Sequence, residues 1–299
     1  MIIPPNLKKG DKVAITCPAK KLPHELTDAV NLLQSWGLEV VLGDTVYASH
    51  HQFAGDDELR AKDLQRFIFD DSIKAIFAAR GGYGTVRIID KIDFSPLLKS
   101  PKWIIGFSDI TVLHCHLQAN FDMSSIHGQM PLTIPDGSKP SLESLRIALF
   151  GNELLYSVPV SDQNLTGDSK GVLVGGNLTL MVMMAGSKSD IDYRDKILFL
   201  EDVGEYLYAI DRMMYNLKRA GKLAQLKGLL IGGFTDIKDN DIPFGQTIEE
   251  IMLSHVAEYG YPVCFNFPAG HLSDNHSLIL GKYVNLKADK EQVTLKYIS

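Results

Sequence analysis

Cysteine is scarce in this chain, and an excess of positive charge is absent. The 299 residues include three cysteines and two tryptophans, and 30 Lys and Arg stand against 36 Asp and Glu, a net charge of −6. Cys17, Cys115 and Cys264 are far apart, and an odd number cannot close a complete disulfide framework; no CxxC pair marks a zinc site. Each lies in an apolar setting, so buried free thiols are expected. The basic pairs Lys8-Lys9, Lys20-Lys21 and Lys218-Arg219 are short and scattered, which leaves no footprint for nucleic acid. Long hydrophobic runs are missing too. The most apolar stretch, Val172 to Ala185, is interrupted by Gly175-Gly176-Asn177 and is too short to span a bilayer. Met1 to Lys12 holds two prolines and no apolar core of a secretory signal, so the cytoplasm is the expected compartment.

What is present is ordinary for a folded chain. Hydrophobic residues make up 45% and charged residues 22%, which excludes wholesale disorder. The length predicts roughly two domains of about 150 residues. In the first half, β-rich runs alternate with helical patterns. Val13 to Thr16, Leu38 to Leu42, Lys74 to Ala78 and Trp103 to Ile105 read as strands, and Leu26 to Trp36 and Glu58 to Phe69 as helices. That alternation predicts a parallel α/β sheet. A polar stretch, 151–170, is expected to link residues 1–150 to a second domain at 171–299. There, Leu178 to Ala185, Tyr206 to Ala220 and Thr247 to Tyr259 have helical patterns, with strands at Lys196 to Leu200 and Leu226 to Ile231. Ser277 to Leu280, Tyr283 to Leu286 and Gln292 to Ile298 predict short antiparallel strands.

Four segments could carry chemistry. In Trp103-Ile104-Ile105-Gly106-Phe107-Ser108-Asp109 a strand runs through a serine turn into the helical run Ile110 to Leu117. This arrangement presents a serine hydroxyl at a sheet edge beside free helix N–H groups; the competing role for Ser108 is a helix N-cap. Arg80-Gly81-Gly82-Tyr83-Gly84-Thr85 follows a strand and precedes a helical run, Val86 to Ile89. Its spacing is not that of a dinucleotide loop, and an oxyanion hole shared with the N–H of Asp109 fits it better. Glu201-Asp202 ends a buried strand, where ligands of α/β proteins gather, although paired acids are also common in turns. Finally, Pro268 to His276 is a small, polar loop holding His271 and His276. In chain order the candidates run Ser108, Glu201, His271, one of the orders in which serine triads are built. His114 and His116 form an HxH on a helix, where residues two apart do not share a face, so one of them is expected in the core and no metal is called for. Cofactors are not expected.

These segments resemble the LD-carboxypeptidases, serine peptidases that include murein tetrapeptide carboxypeptidases and microcin C self-immunity hydrolases. The likeness rests on GDKVAITCPA, AIFAARGGYGTVRIID, KWIIGFSD, IHGQMP, GVLVGGNLTL, ILFLEDVGEYLYAIDRMMYNL, GLLIGGFTD and NFPAGHLSDN, in order over nearly the whole chain. The resemblance implies an N-terminal flavodoxin-like parallel-sheet domain and a C-terminal mixed α/β domain with β-barrel-like character. It implies Ser108 as nucleophile, His271 as base and Glu201 as the acid that orients it. Gly82 and Asp109 would supply the oxyanion hole through their backbones. The implied substrate is a murein peptide, cut between an L-configured diamino acid and a terminal D-alanine by a cytoplasmic homodimer without metal. Arg80 is the candidate for the terminal carboxylate, unless it serves a structural ion pair, and Tyr83 is a further substrate-binding candidate. An aminoacyl or peptidyl nucleotide conjugate is the alternative substrate, and a non-catalytic peptide- or sugar-binding protein the alternative class. Two departures from the family pattern, Gln129 in GQMP and HSLILG after GHLSDN, are peripheral to the triad.

Overall fold

Alternating strands and helices build the first half in the computed structural model, which describes residues 1–298. The order is β1 (Lys12–Thr16), α1 (Thr27–Ser35), β2 (Glu39–Leu42), α2 (Asp57–Phe69), β3 (Ile73–Ala78), β4 (Trp103–Gly106), α3 (Thr111–Phe121), β5 (Ser125–His127) and α4 (Lys139–Phe150). The pairs β1–β2, β1–β3, β3–β4 and β4–β5 are all parallel. β3 and β4 are almost wholly buried, which is why they read as unbroken apolar runs. α2 begins where the Asp56 side chain accepts from Leu59 N at 2.8 Å. It ends where the buried Lys102 ammonium donates to the carbonyls of Phe67, Ile68 and Asp70, otherwise orphaned at a helix C-terminus.

The helix expected at Val86 to Ile89 is replaced by two single 3₁₀ turns, Thr85–Arg87 and Ile89–Lys91. Four of the five residues from Thr85 to Ile89 are β-branched, which disfavours α-helix, and Gly84 enters at φ +144°.

The second half contains β6 (Leu155–Val158), β7 (Gly167–Asn177), α5 (Leu178–Met184), β8 (Lys196–Val203), α6 (Leu207–Arg219), β9 (Gly228–Thr235), α7 (Ile248–Val256), β10 (Val263–Cys264), β11 (Leu278–Leu280), β12 (Tyr283–Ala288) and β13 (Val293–Tyr297). The stretch 151–170, read from sequence as a linker, thus carries β6 and the start of β7. Seven strands form an open mixed sheet in the order β10-β9-β8-β7-β12-β13-β6. The expected barrel character is not realised, and no closed barrel exists among the described residues. Closure needs a continuous ladder, whereas β10 is two residues long and meets Leu165 through a single bridge.

One strand of the tail crosses over. β11 pairs antiparallel with β5, Leu278 opposite His127 and Leu280 opposite Ser125, and so completes the first sheet. Its Leu-Ile-Leu sequence suits that fully buried position. The crossing stitches the 266–276 loop to the first half. No helix among the described residues is long and apolar enough to cross a membrane.

Candidate active site

The chain leaves β4 at Gly106 and passes through an extended Phe107 to Ser108, whose φ is +63°. A serine in the left-handed region is uncommon and is held there by its surroundings. One neighbour is Gly81: a β-carbon added to it would lie 2.9 Å from Ser108 Cβ and 3.0 Å from Oγ. Only glycine lets the two loops approach so closely. Ser108 makes no capping hydrogen bond, so the structure does not use it as an N-cap. Behind the turn, His114 Nε2 donates to Gly106 O at 2.9 Å and Nδ1 accepts from Ser125 Oγ at 2.8 Å. Burial holds this histidine near pKa 4, as a neutral brace.

Around Ser108 lie unspent donors. The backbone N–H groups of Gly82 and Asp109 have no hydrogen-bond partner among the described residues. Gly82 is exposed, with φ +113°. The buried Asp109 carboxylate accepts from Thr85 N at 2.9 Å and so grips the far end of the glycine loop. Burial pushes the Asp109 pKa up, against the pull of the Thr85 bonds and the Arg60 charge. Arg60, fully buried on α2, donates from Nη1 to Pro18 O at 2.5 Å and Gly84 O at 2.9 Å. It ties the glycine loop to the loop after β1.

Glu201 lies near the end of β8 with its side chain fully buried, and its Oε2 is 2.6 Å from Nδ1 of His271. Gly270 permits this contact: a β-carbon there would lie 2.8 Å from Glu201 Cβ, and its φ is +117°. The His271 loop is pinned on three sides, by Gly233 N to Ala269 O (2.8 Å), Gly270 N to Asn275 Oδ1 (2.8 Å) and Gln129 Nε2 to Ser273 O (3.0 Å). Gln129, peripheral by sequence, therefore anchors this loop. Burial raises the Glu201 pKa, opposed by its bond to His271. Burial also works against a charged His271, but the Glu201 hydrogen bond and charge outweigh it and hold its pKa above the usual 6.5.

The His271 ring stands edge-on to Phe107, centroids 4.9 Å apart, which brings it beside the residue that precedes Ser108. Among the described residues Ser108 and His271 share no hydrogen bond. The acidic pair divides its labour: Asp202 accepts from Asn177 Nδ2 at 2.8 Å and from Thr179 N and Oγ1 at 2.9 Å, holding the start of α5.

The remaining candidates separate clearly. His276 pairs with Asp274 at 3.2 Å and leans on Tyr156, apart from Glu201. His127 is buried between Phe107 and Phe199, and burial keeps it neutral. His114 and His116 are both buried, where one was expected; His116 Nδ1 meets Ser189 Oγ at 2.9 Å. The three cysteines are free and buried, their thiols pushed up to about 12 by burial. Arg80 forms no ion pair among the described residues and donates to Lys21 O at 2.8 Å. Tyr83 is 45% exposed, its ring 6.0 Å from that of Phe53. Sequence reasoning missed Gly81, Arg60, Phe107 and Gln129, whose site-shaping contacts, to Ser108, Gly84, His271 and Ser273, lie far along the chain.

Comparison with known proteins is consistent along the whole chain. The signature of the LD-carboxypeptidase N-terminal domain matches residues 13–128, and that of the LD-carboxypeptidase C-terminal domain matches residues 170–286. A Bacillus subtilis protein named "Probable murein peptide carboxypeptidase" is 35% identical over 284 residues, 93% of this chain and 89% of its own. The muramoyltetrapeptide carboxypeptidase from Oxalobacter formigenes superposes with a TM-score of 0.87 at 31% identity, covering 96% of this chain and 99% of its own. The microcin C7 self-immunity protein MccF, in complex with aspartyl sulfamoyl adenosine, has the same fold: TM-score 0.89 at 18% identity, covering 100% of this chain and 99% of its own. With both domain signatures matched in order, the chain belongs to the LD-carboxypeptidase family of serine peptidases.

Proposed function

We propose that this enzyme releases D-alanine from murein tetrapeptides, cutting after an L-configured diamino acid with Ser108, His271 and Glu201 as its triad. The observation that carries this reading is the 2.6 Å bond between His271 Nδ1 and the buried Glu201, set against Phe107 at the serine turn. That bond fixes the tautomer and leaves Nε2 unprotonated for the serine. The Ser108–His271 hydrogen bond forms when substrate fills the cleft, as catalytic contacts of free enzymes commonly tighten only then.

Ser108 Oγ attacks the carbonyl carbon as His271 Nε2 takes its proton. The tetrahedral oxyanion is received by the N–H groups of Gly82 and Asp109, each such donor being worth roughly 10²–10³ in rate. His271 then protonates the departing D-alanine nitrogen, and water repeats the cycle on the acyl-enzyme. Arg80 and Tyr83 face the substrate on this reading, Arg80 toward its terminal carboxylate. The resemblance to the family extends the proposal to a cytoplasmic homodimer acting on recycled wall fragments. A murein substrate is preferred to a nucleotide conjugate because the nucleotide-bound relative shares the fold alone, at 18% identity.

A substrate panel tests this. Disaccharide tetrapeptide and an aminoacyl adenylate analogue are incubated with the enzyme, and free D-alanine or free nucleoside is followed by mass spectrometry. D-alanine release that falls at least ~10⁴-fold in Ser108→Ala is the expected result. Release of nucleoside alone, or release that survives Ser108→Ala, overturns the reading.

A further inference from the structure

Several cations near the glycine loop have found acidic partners. Arg60 and Arg87 both meet Asp57, and Lys91 meets Glu58. Three have not: Arg80, held by the Lys21 carbonyl; Lys21, whose ammonium turns to Ser49 Oγ at 3.2 Å; and Lys20, whose ammonium has neither an ion-pair nor a hydrogen-bond partner among the described residues.

Lys20 is placed rather than loose. Its backbone bridges Phe53, and the residues on either side are tied down by Ala54 N to Ala19 O at 3.2 Å and Lys21 N to Gln52 O at 3.0 Å. Its stem lies across Gly82: a β-carbon added there would stand 2.5 Å from Cδ, 2.7 Å from Cγ and 3.0 Å from Cε. The preceding residue, Gly81, abuts Ser108 Oγ. One residue step, about 3.8 Å between α-carbons, therefore separates the glycine that touches the nucleophile from the glycine under the lysine. An exopeptidase substrate has the matching spacing, since its free α-carboxylate lies one residue beyond the scissile carbonyl. Glycine at 82 leaves room for the alkyl stem, while the half-buried position weakens solvent screening of the charge.

We propose that Lys20, together with Arg80, forms the subsite for the terminal α-carboxylate of the departing residue and so restricts the enzyme to C-terminal bonds. Lys20 is then a specificity residue that leaves the bond-breaking steps to others. The inference rests on the peptidase reading above, and binding measurements separate the two.

The probes are N-acetyl-L-lysyl-D-alanine and its C-terminal amide, titrated calorimetrically into Ser108→Ala enzyme. The acid is expected to bind ~10-fold more tightly than the amide, as a charge-assisted contact requires. Adding Lys20→Met should shrink that preference to ~2-fold, and Lys20→Arg should restore it. With Ser108 intact, Lys20→Met should raise KM for the acid ~10-fold and leave kcat within ~2-fold. Equal binding of acid and amide to Ser108→Ala, or an undiminished preference in Lys20→Met, overturns the subsite. Absence of turnover with the acid–amide preference present overturns the peptidase reading and leaves the subsite standing.

Discussion

The two halves of the molecule position their candidate catalytic groups by different means. In the first half the backbone does it: Ser108 sits at φ +63°, wedged against Gly81 and followed at once by a helical turn. In the second half, burial and charge do it: Glu201 is sealed near the end of β8 and holds an imidazole 70 residues away in sequence. Ser108 is thus held by sterics, which are indifferent to pH, while the His271 imidazole is held by electrostatics, which are not. A variant on one side should disturb rate without moving the pH profile, and a variant on the other should move both.

Glu201→Gln should have the largest effect in this comparison, lowering kcat on the order of 10³–10⁴-fold. Its pH signature is more specific. A general base must be neutral to work, so with His271 in the proposed role the acid limb of kcat/KM follows its pKa, which Glu201 holds above 6.5. Removing the carboxylate leaves burial opposed only by the weaker pull of the Asp202 charge, and the limb should move below 6.5. A limb that stays in place in Glu201→Gln would break the electrostatic half of the comparison. Gly81→Ala comes next. Its methyl group displaces Ser108, and a misplacement of this kind costs about 10²-fold in rate. The acid limb should not move, and a shifted limb would show that the two halves are not independent.

The smallest effect is expected at Asp109, through its side chain. Asp109→Ala removes the acceptor for Thr85 N, lowering kcat ~10-fold and stability by about 1–3 kcal/mol in denaturant unfolding. Asp109→Asn keeps an acceptor oxygen and should recover most of both. If Asn and Ala behave alike, charge facing Arg60 matters more than the grip on the loop.

The strands and helices of the first half could be read directly, because continuous apolar runs and helical periodicity are local properties of the chain. The strand–turn–helix at Ser108 belongs to the same class. The second half was harder. β11 looked like another tail strand, yet its Leu278-Ile279-Leu280 run joins the first sheet, and no local pattern names a partner strand. Barrel character failed for the same reason, since closure depends on how strand edges meet. The family motif already singled out His271 over His276, and the contacts set the two apart physically: one faces Glu201 and the other Asp274, within a loop of uniform composition.

By itself the sequence determined which residue types stand at strand ends and in what order, and with them the family, because those features repeat along one dimension. It also determined where glycine occurs, without showing why. Only the tertiary structure decided that Gly81 makes room for Ser108, Gly82 for Lys20 and Gly270 for Glu201. The physical reason is that a glycine's purpose lies in the atom it does not hold, and what fills that space comes from elsewhere in the chain.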